Sequence, residues 1–142
     1  MNAGDRYFVD TNILVYAHDR GAGRRHNVAA ELVRKLWKDR SGCLSTQVLQ
    51  ELYVNVRRKA ASPVSLTQAR ALIDDYLRWR VVVNDGRSIL RALELEEKHS
   101  LSFWDSMIIQ AAERTSAPVL YSEDLSHGHT YGIVTVVNPF ES

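Results

Sequence analysis

Four acids occupy positions where a chain seldom spends charge: Asp10, Glu51, Asp105 and Asp124. Asp10 ends the apolar run Tyr7 to Val9 and is followed by Thr11, Asn12 and further apolar residues. A carboxylate set directly on a buried strand is costly without a partner. Glu51 falls on the margin of the helical stripe Val48, Leu49, Leu52 and Val56, close to Val48 and Asn55. Asp105 shares with Ile108, Ile109 and Ala112 the i, i+3, i+4, i+7 set that faces a core. Asp124 follows the run Val119 to Tyr121 through Ser122 and Glu123. Meeting at one site, such acids would hold a divalent cation. Mg²⁺ and Mn²⁺ are hard ions that take oxygen donors, keep several waters and accept the rest from a phosphodiester. The ion would neutralise charge on the scissile phosphate and acidify a bound water. Two like charges about 4 Å apart repel by roughly 4 kcal/mol at an effective dielectric of ~20, so a four-acid cluster calls for a cation.

Each acid also has a plainer use. Asp10 could simply cap the helix that follows, as could Thr11 or Asn12. Glu51 could reach water from the edge of its stripe. Ser102 and Asp105 match a capping box, and the helix dipole favours an anion there. Capping does not exclude metal binding, because a carboxylate has several lone pairs. Glu123 competes with Asp124 for the last position. Spacing alone does not bring together four acids scattered over more than a hundred residues.

The elements that must position them follow from apolar pattern and breakers. Residues 6–9 read as the first strand of a parallel sheet, with Asp10 at its carboxyl end, where open α/β sheets place their ligands. A short helix over 12–19 is broken by Gly21-Ala22-Gly23, and a longer one spans 24–40. Cys43 to Ser45 is extended, and Thr46 is the expected N-cap of a helix through Lys59. Ser65 with Gln68 forms a capping box for a helix to about Trp79. Residues 80–83 read as a buried strand, and 84–86 as a turn before a helix over 87–99. Ser102 opens the next helix, to Glu113 or Arg114. Strands over 118–121 and 133–137 flank a polar loop. Five strands alternating with helices predict a parallel sheet covered on both faces, in a single domain over 1–142.

The totals exclude several classes. At 142 residues, 45% hydrophobic and 25% charged, the chain reads as one soluble globular domain. No apolar run reaches the ~18 residues of a membrane span, and no signal peptide is apparent. The lone Cys43 forms no internal disulfide, which fits a reducing, cytoplasmic setting, and is expected in the core. Near neutrality does not announce a nucleic-acid binder, although fourteen of the eighteen basic residues are Arg, which suits phosphate. Arg57-Arg58-Lys59, Arg24-Arg25 and Arg78 with Arg80 are candidates to grip a backbone, or merely cations at helix ends. His127 and His129 lack a third soft ligand, which argues against zinc. Trp37 and Trp79 suit packing, whereas Phe103-Trp104 beside Asp105 could wall a site.

Four strings taken together resemble a known family. Val9-Asp10-Thr11-Asn12, Gln50-Glu51-Leu52, Phe103-Trp104-Asp105-Ser106 and Tyr121-Ser122-Glu123-Asp124-Leu125 stand in the order and on the elements of a PIN domain of the VapC toxin type, from Tyr7 to Phe140. The resemblance implies a three-layer α/β/α sandwich around a central parallel sheet of about five strands, with the acids at one end. It implies a catalytic set of Asp10, Glu51, Asp105 and Asp124, with Asp10 and Asp105 as ligands of Mg²⁺ (or Mn²⁺ in its place). Thr11, Asn12 and Ser122 would support them. The implied activity is metal-dependent cleavage of RNA that halts translation until a cognate antitoxin wraps the toxin; homodimers are common in the family. A receiver domain is disfavoured because no lysine follows Lys98, and a dehalogenase-like phosphatase because position 12 is Asn. A catalytically silent PIN scaffold for RNA or protein is the remaining alternative, and retention of all four acids argues against it.

Overall fold

Tyr7, Phe8 and Val9 are all buried, Phe8 and Val9 completely. Burial on both faces puts such a strand in the middle of a sheet. In the computed structural model, which describes residues 4–141, this strand, β1 (Tyr7–Val9), lies between two parallel neighbours. It is followed by α1 (Thr11–His18), a 3₁₀ turn at Arg20–Ala22, α2 (Arg24–Asp39), β2 (Gly42–Ser45) and α3 (Thr46–Arg58). Next come α4 (Leu66–Tyr76), β3 (Arg80–Val82), α5 (Gly86–His99), α6 (Phe103–Arg114), β4 (Val119–Tyr121), β5 (Thr130–Tyr131) and β6 (Val134–Val137). The sheet order is β3-β2-β1-β4-β6-β5. Phe8 pairs with Cys43 on one side and Leu120 on the other; Val9, Tyr121 and Val137 stand level at the carboxyl ends.

The chain moves outward from β1 to β2 to β3, then returns to place β4 on the other side of β1. Crossovers of one hand then put the helices before and after that return on opposite faces. The result is a sheet sandwiched by helices, with a topological switch point between β1 and β4, where open α/β sheets bind ligands.

Two strand expectations need correcting. The sheet has six strands, because the polar loop after β4 contains β5, which pairs antiparallel with β6. The turn between them uses Gly132 at a φ of 62°, a conformation glycine adopts without steric cost. Residues 80–83 were expected to be buried, but β3 is an edge strand: Arg80 is exposed and Val81 and Val82 are half-buried, since no strand covers their outer side. Several helix ends also shift. Ser45, not Thr46, caps α3, and α4 stops at Tyr76, three residues early. The Ser65–Gln68 capping box is present, and Asp85 with Ser88 forms a second one in what reads as a turn. Cys43 is buried in the core as expected. Among the described residues no helix is long and apolar enough to cross a membrane.

Tyr76, Trp79 and Trp37 pack edge to face or tilted, with centroids 5.0 to 5.5 Å apart. Gly42 makes room for them: a Cβ there would lie 2.4 Å from the Trp79 ring. His18 joins this cluster, its Nε2 2.6 Å from the Tyr76 hydroxyl. Burial holds the His18 pKa below its ordinary value, the nearby His26 adds to this, and Asp75 opposes it. The unfolded chain therefore binds a proton at His18 more readily than the native one. Its stabilising effect is complete above about pH 6.5, the unfolded value, and is lost as pH falls toward the depressed native value. Thermal melts from pH 7.5 down to about 5 are expected to lose stability more steeply in the wild type than in His18→Gln. Parallel slopes would refute this.

Candidate functional site at the carboxyl end of β1

Asp10 continues the β1–β4 ladder for one residue, its N–H bonding the Tyr121 carbonyl at 2.9 Å. It then caps α1, with Oδ1 accepting from the Thr11 N–H at 2.8 Å. Both plain and functional readings of Asp10 thus start from the same geometry, and the cap uses only one oxygen. The other, Oδ2, accepts from the Ser122 hydroxyl at 2.8 Å, and Ser122 is fully buried just past β4. The Ser122 Oγ in turn accepts from the backbone N–H groups of Asp124 (3.2 Å) and Leu125 (3.4 Å). Residues 112 apart in sequence are tied together at the switch point.

Glu51 comes in from α3, half-buried at the edge of the stripe, and accepts from the Thr11 hydroxyl at 2.8 Å. Thr11 therefore serves both acids, through its N–H and its Oγ1. Burial pushes the Asp10 pKa up to about 7; the Ser122 and Thr11 hydrogen bonds pull against it, and the carboxylates of Asp124 and Glu51 push with it. Thr11 links Asp10 to Glu51, and Ser122 links Asp10 to the backbone of Asp124.

Glu123 and Asp124 differ in their partners. Glu123 Oε1 accepts from the Tyr16 hydroxyl at 2.8 Å and Oε2 from Arg25 at 2.6 Å. The Arg25 guanidinium also lies over the Tyr16 and Phe140 rings. Glu123 is thereby committed as a brace, whereas Asp124 is exposed beside Asp10. Asn12 Oδ1 accepts from the Glu123 N–H at 3.4 Å, and its Nδ2 is buried without a partner. Tyr16 and the bracing use of Arg25 were not legible in the sequence, where Arg24-Arg25 reads as a grip for a nucleic-acid backbone.

Asp105 sits in the first turn of α6, where Ser102 Oγ accepts from its N–H at 3.1 Å. Only half of the capping box forms, because the carboxylate makes no return bond to Ser102, unlike the reciprocal pairs that begin α4 and α5. A four-residue link joins α6 to β4, and the helix packs on that strand, so it runs antiparallel to it. The amino end of α6 thus points to the carboxyl end of the sheet. The charge of Asp105 bears on Tyr131, where burial and then this carboxylate raise the hydroxyl pKa. Trp104 beside it is exposed and stands edge-on to the half-buried Phe103.

The donor set is oxygen throughout, as a hard cation requires. Among the described residues no three His, Cys, Asp or Glu side chains stand close enough together to clasp an ion. Mg²⁺ sites commonly use only one or two carboxylates, with waters and phosphate oxygens completing the shell. The exposed His127 accepts from the Asn138 N–H through Nδ1, as befits a loop residue.

An α/β sandwich with carboxylates gathered at its switch point defines a class of proteins that act at the end of a sheet. Within that class, the model of the PIN domain family matches residues 7–132, and the chain belongs to this family. Solved structures with the same fold include VapC20 of Mycobacterium tuberculosis, described as a sarcin–ricin loop cleaving toxin. It is 21% identical, with a TM-score of 0.63 over 83% of this chain and 89% of that one. A toxin–antitoxin complex from Klebsiella pneumoniae is 18% identical, with a TM-score of 0.67 over 96% and 99%. DNA-bound VapBC from Salmonella typhimurium is 14% identical, with a TM-score of 0.65 over 93% and 96%. Comparison with curated proteins gives no match.

Proposed function

We propose that the protein is a metal-dependent endoribonuclease, the toxin of a toxin–antitoxin pair, acting on RNA in the cytoplasm until a cognate antitoxin covers its site. The observation that carries this reading is the buried Asp10, bonded through both oxygens and crowded by Asp124 and Glu51 at the switch point of a PIN domain. The kinship of its fold to toxins from such pairs supports the antitoxin as partner. The family's habit of pairing supports a homodimer.

Asp10 and Asp105 are the residues to hold Mg²⁺, with Mn²⁺ able to substitute; the bound ion would offset charge on the scissile phosphate. Ser122 and the Thr11 N–H fix the direction in which Asp10 presents its carboxylate. The Thr11 hydroxyl does the same for Glu51. Asn12 accepts from the Glu123 N–H and helps to hold the loop that carries Asp124. Asp124 accepts the proton of the attacking water, while Glu123, held by Tyr16 and Arg25, keeps the loop that carries Asp124 in place.

The direct test is cleavage of end-labelled single-stranded RNA by the purified protein with Mg²⁺ or Mn²⁺, against the same reaction in EDTA. Cutting only with metal is expected; intact RNA under both conditions overturns the reading in favour of a silent scaffold. Asp124→Asn is expected to slow cleavage by about 100-fold, the scale of losing a general base. Glu123→Gln keeps an acceptor for the Tyr16 hydroxyl but gives up the one for Arg25, and should cost no more than about 10-fold. A reversed order would assign the catalytic role to Glu123.

A further inference from the structure

Arginines gather at the opposite end of the sheet from Asp10. Arg6 precedes β1, Arg40 follows α2, and Arg78 and Arg80 flank the start of β3. With the two indoles of Trp37 and Trp79 they line a cavity of about 580 Å³, a volume typical of small-molecule sites. Asp5 and Asp39 line it as well, yet no carboxylate among the described residues lies within ion-pair distance of any of the four guanidinium groups. The carboxyl end of α2 adds about half a negative charge. Four full positive charges outweigh two acids and a helix end, so the cavity is positive. Arg6 is fixed by its bond to the Thr115 carbonyl at 3.0 Å, and the charges of Arg6 and Arg80 both reach the thiol of Cys43.

Trp37, Trp79 and Ser41 complete the lining. Guanidinium groups match a phosphate with paired, parallel hydrogen bonds. Trp37, more than a third exposed, offers an aromatic surface to a base.

We propose that this cavity binds a small phosphate-bearing ligand of the nucleoside monophosphate class, with its phosphate among Arg40, Arg78 and Arg80 and its base against Trp37. An RNA strand continuing from the acidic site is the less favoured occupant, because it would have to pass around the whole domain to reach the amino ends of the strands. The inference is independent of ribonuclease activity, since it concerns binding at the other end of the sheet.

Isothermal titration calorimetry of the whole chain in EDTA, where no cation can recruit phosphate to the acids, tests it with AMP, ribose 5-phosphate, adenosine and a short single-stranded RNA. AMP is expected to bind, ribose 5-phosphate more weakly, and adenosine at least about 10-fold more weakly than AMP. The double variant Arg78→Gln/Arg80→Gln, altered only at exposed side chains, should weaken AMP by about 10-fold or more, and Arg40→Gln by about 5-fold. Metal-dependent RNA cleavage should be unchanged in both. Absence of AMP binding up to about 10 mM, equal affinity for adenosine, or unaltered AMP affinity in the double variant with an unchanged melting temperature overturns the proposal. So does RNA binding that the double variant abolishes while AMP fails to bind. Should the double variant fail to fold, undiminished AMP binding by Arg40→Gln overturns the proposal in its place.

Discussion

Asp10→Asn is expected to reduce metal-dependent RNA cleavage by about 100-fold or more, while the melting temperature stays level or rises. The first half follows from removing an anionic oxygen from the proposed cation site, where even indirect partners are worth about 10- to 100-fold. The second follows from the cost of the native arrangement. Asp10 is 6% exposed, and its charge is opposed by burial and by the neighbouring Asp124 and Glu51. An uncharged amide of the same shape keeps an acceptor for the Thr11 N–H and removes that opposition, which offsets the loss of the acceptor for the Ser122 hydroxyl. Activity and stability should therefore part company. Cleavage assays beside thermal melts in metal-free buffer measure both. A variant that unfolds, or one that cuts like the wild type, would refute the assignment of Asp10.

Asp19→Ala is expected to cost about 3 kcal/mol of stability and roughly 10 °C in melting temperature. Asp19 ends α1 and is 4% exposed. Its Oδ1 accepts from the backbone N–H groups of Gly21 (3.1 Å) and Ser62 (2.8 Å), and Oδ2 from that of Ala61 (2.7 Å). Burial alone would raise its carboxyl pKa, but these three donors hold it below the usual value. Truncation leaves three N–H groups to find water in a place shaped for a carboxylate. Asp19→Asn retains acceptor capacity and should lose about half as much. The residue stands at the far end of α1 from Asp10, so cleavage per folded molecule should be unaffected well below the transition. Chemical denaturation of both variants decides this, and a loss under about 1 kcal/mol in the alanine variant would refute it.

Asp19 also marks where a linear reading stops. Its partners at 61 and 62 lie more than forty residues away in an unremarkable loop, so nothing near Asp19 signals the fastening. Local signals served well: the Ser65–Gln68 box, the apolar β1 and the half-apolar helices follow from propensity and period alone. The Asp85–Ser88 box went unread because Asn84-Asp85-Gly86 is equally good turn chemistry. β5 was missed because two residues, Thr130 and Tyr131, carry no alternation to detect. Val81, Val82 and Val83 look like a core strand by composition, yet neighbours decide which strand lies at an edge. The same limit governed the site. Asp10 stood out because a carboxylate ended a buried run. That Glu123 is held by Tyr16 and Arg25 could not be read, because their distance in sequence conceals the contact.

The central strand of this sheet is the first one made, but one of its two neighbours is nearly the last. Until residues 119–122 have left the ribosome, Asp10 lacks both the β4 ladder and the Ser122 hydroxyl that orients it. Pairings so distant along the chain form late, because the intervening loop must be closed first. The pocket around Asp10 is therefore completed only once β4 has emerged and paired with β1.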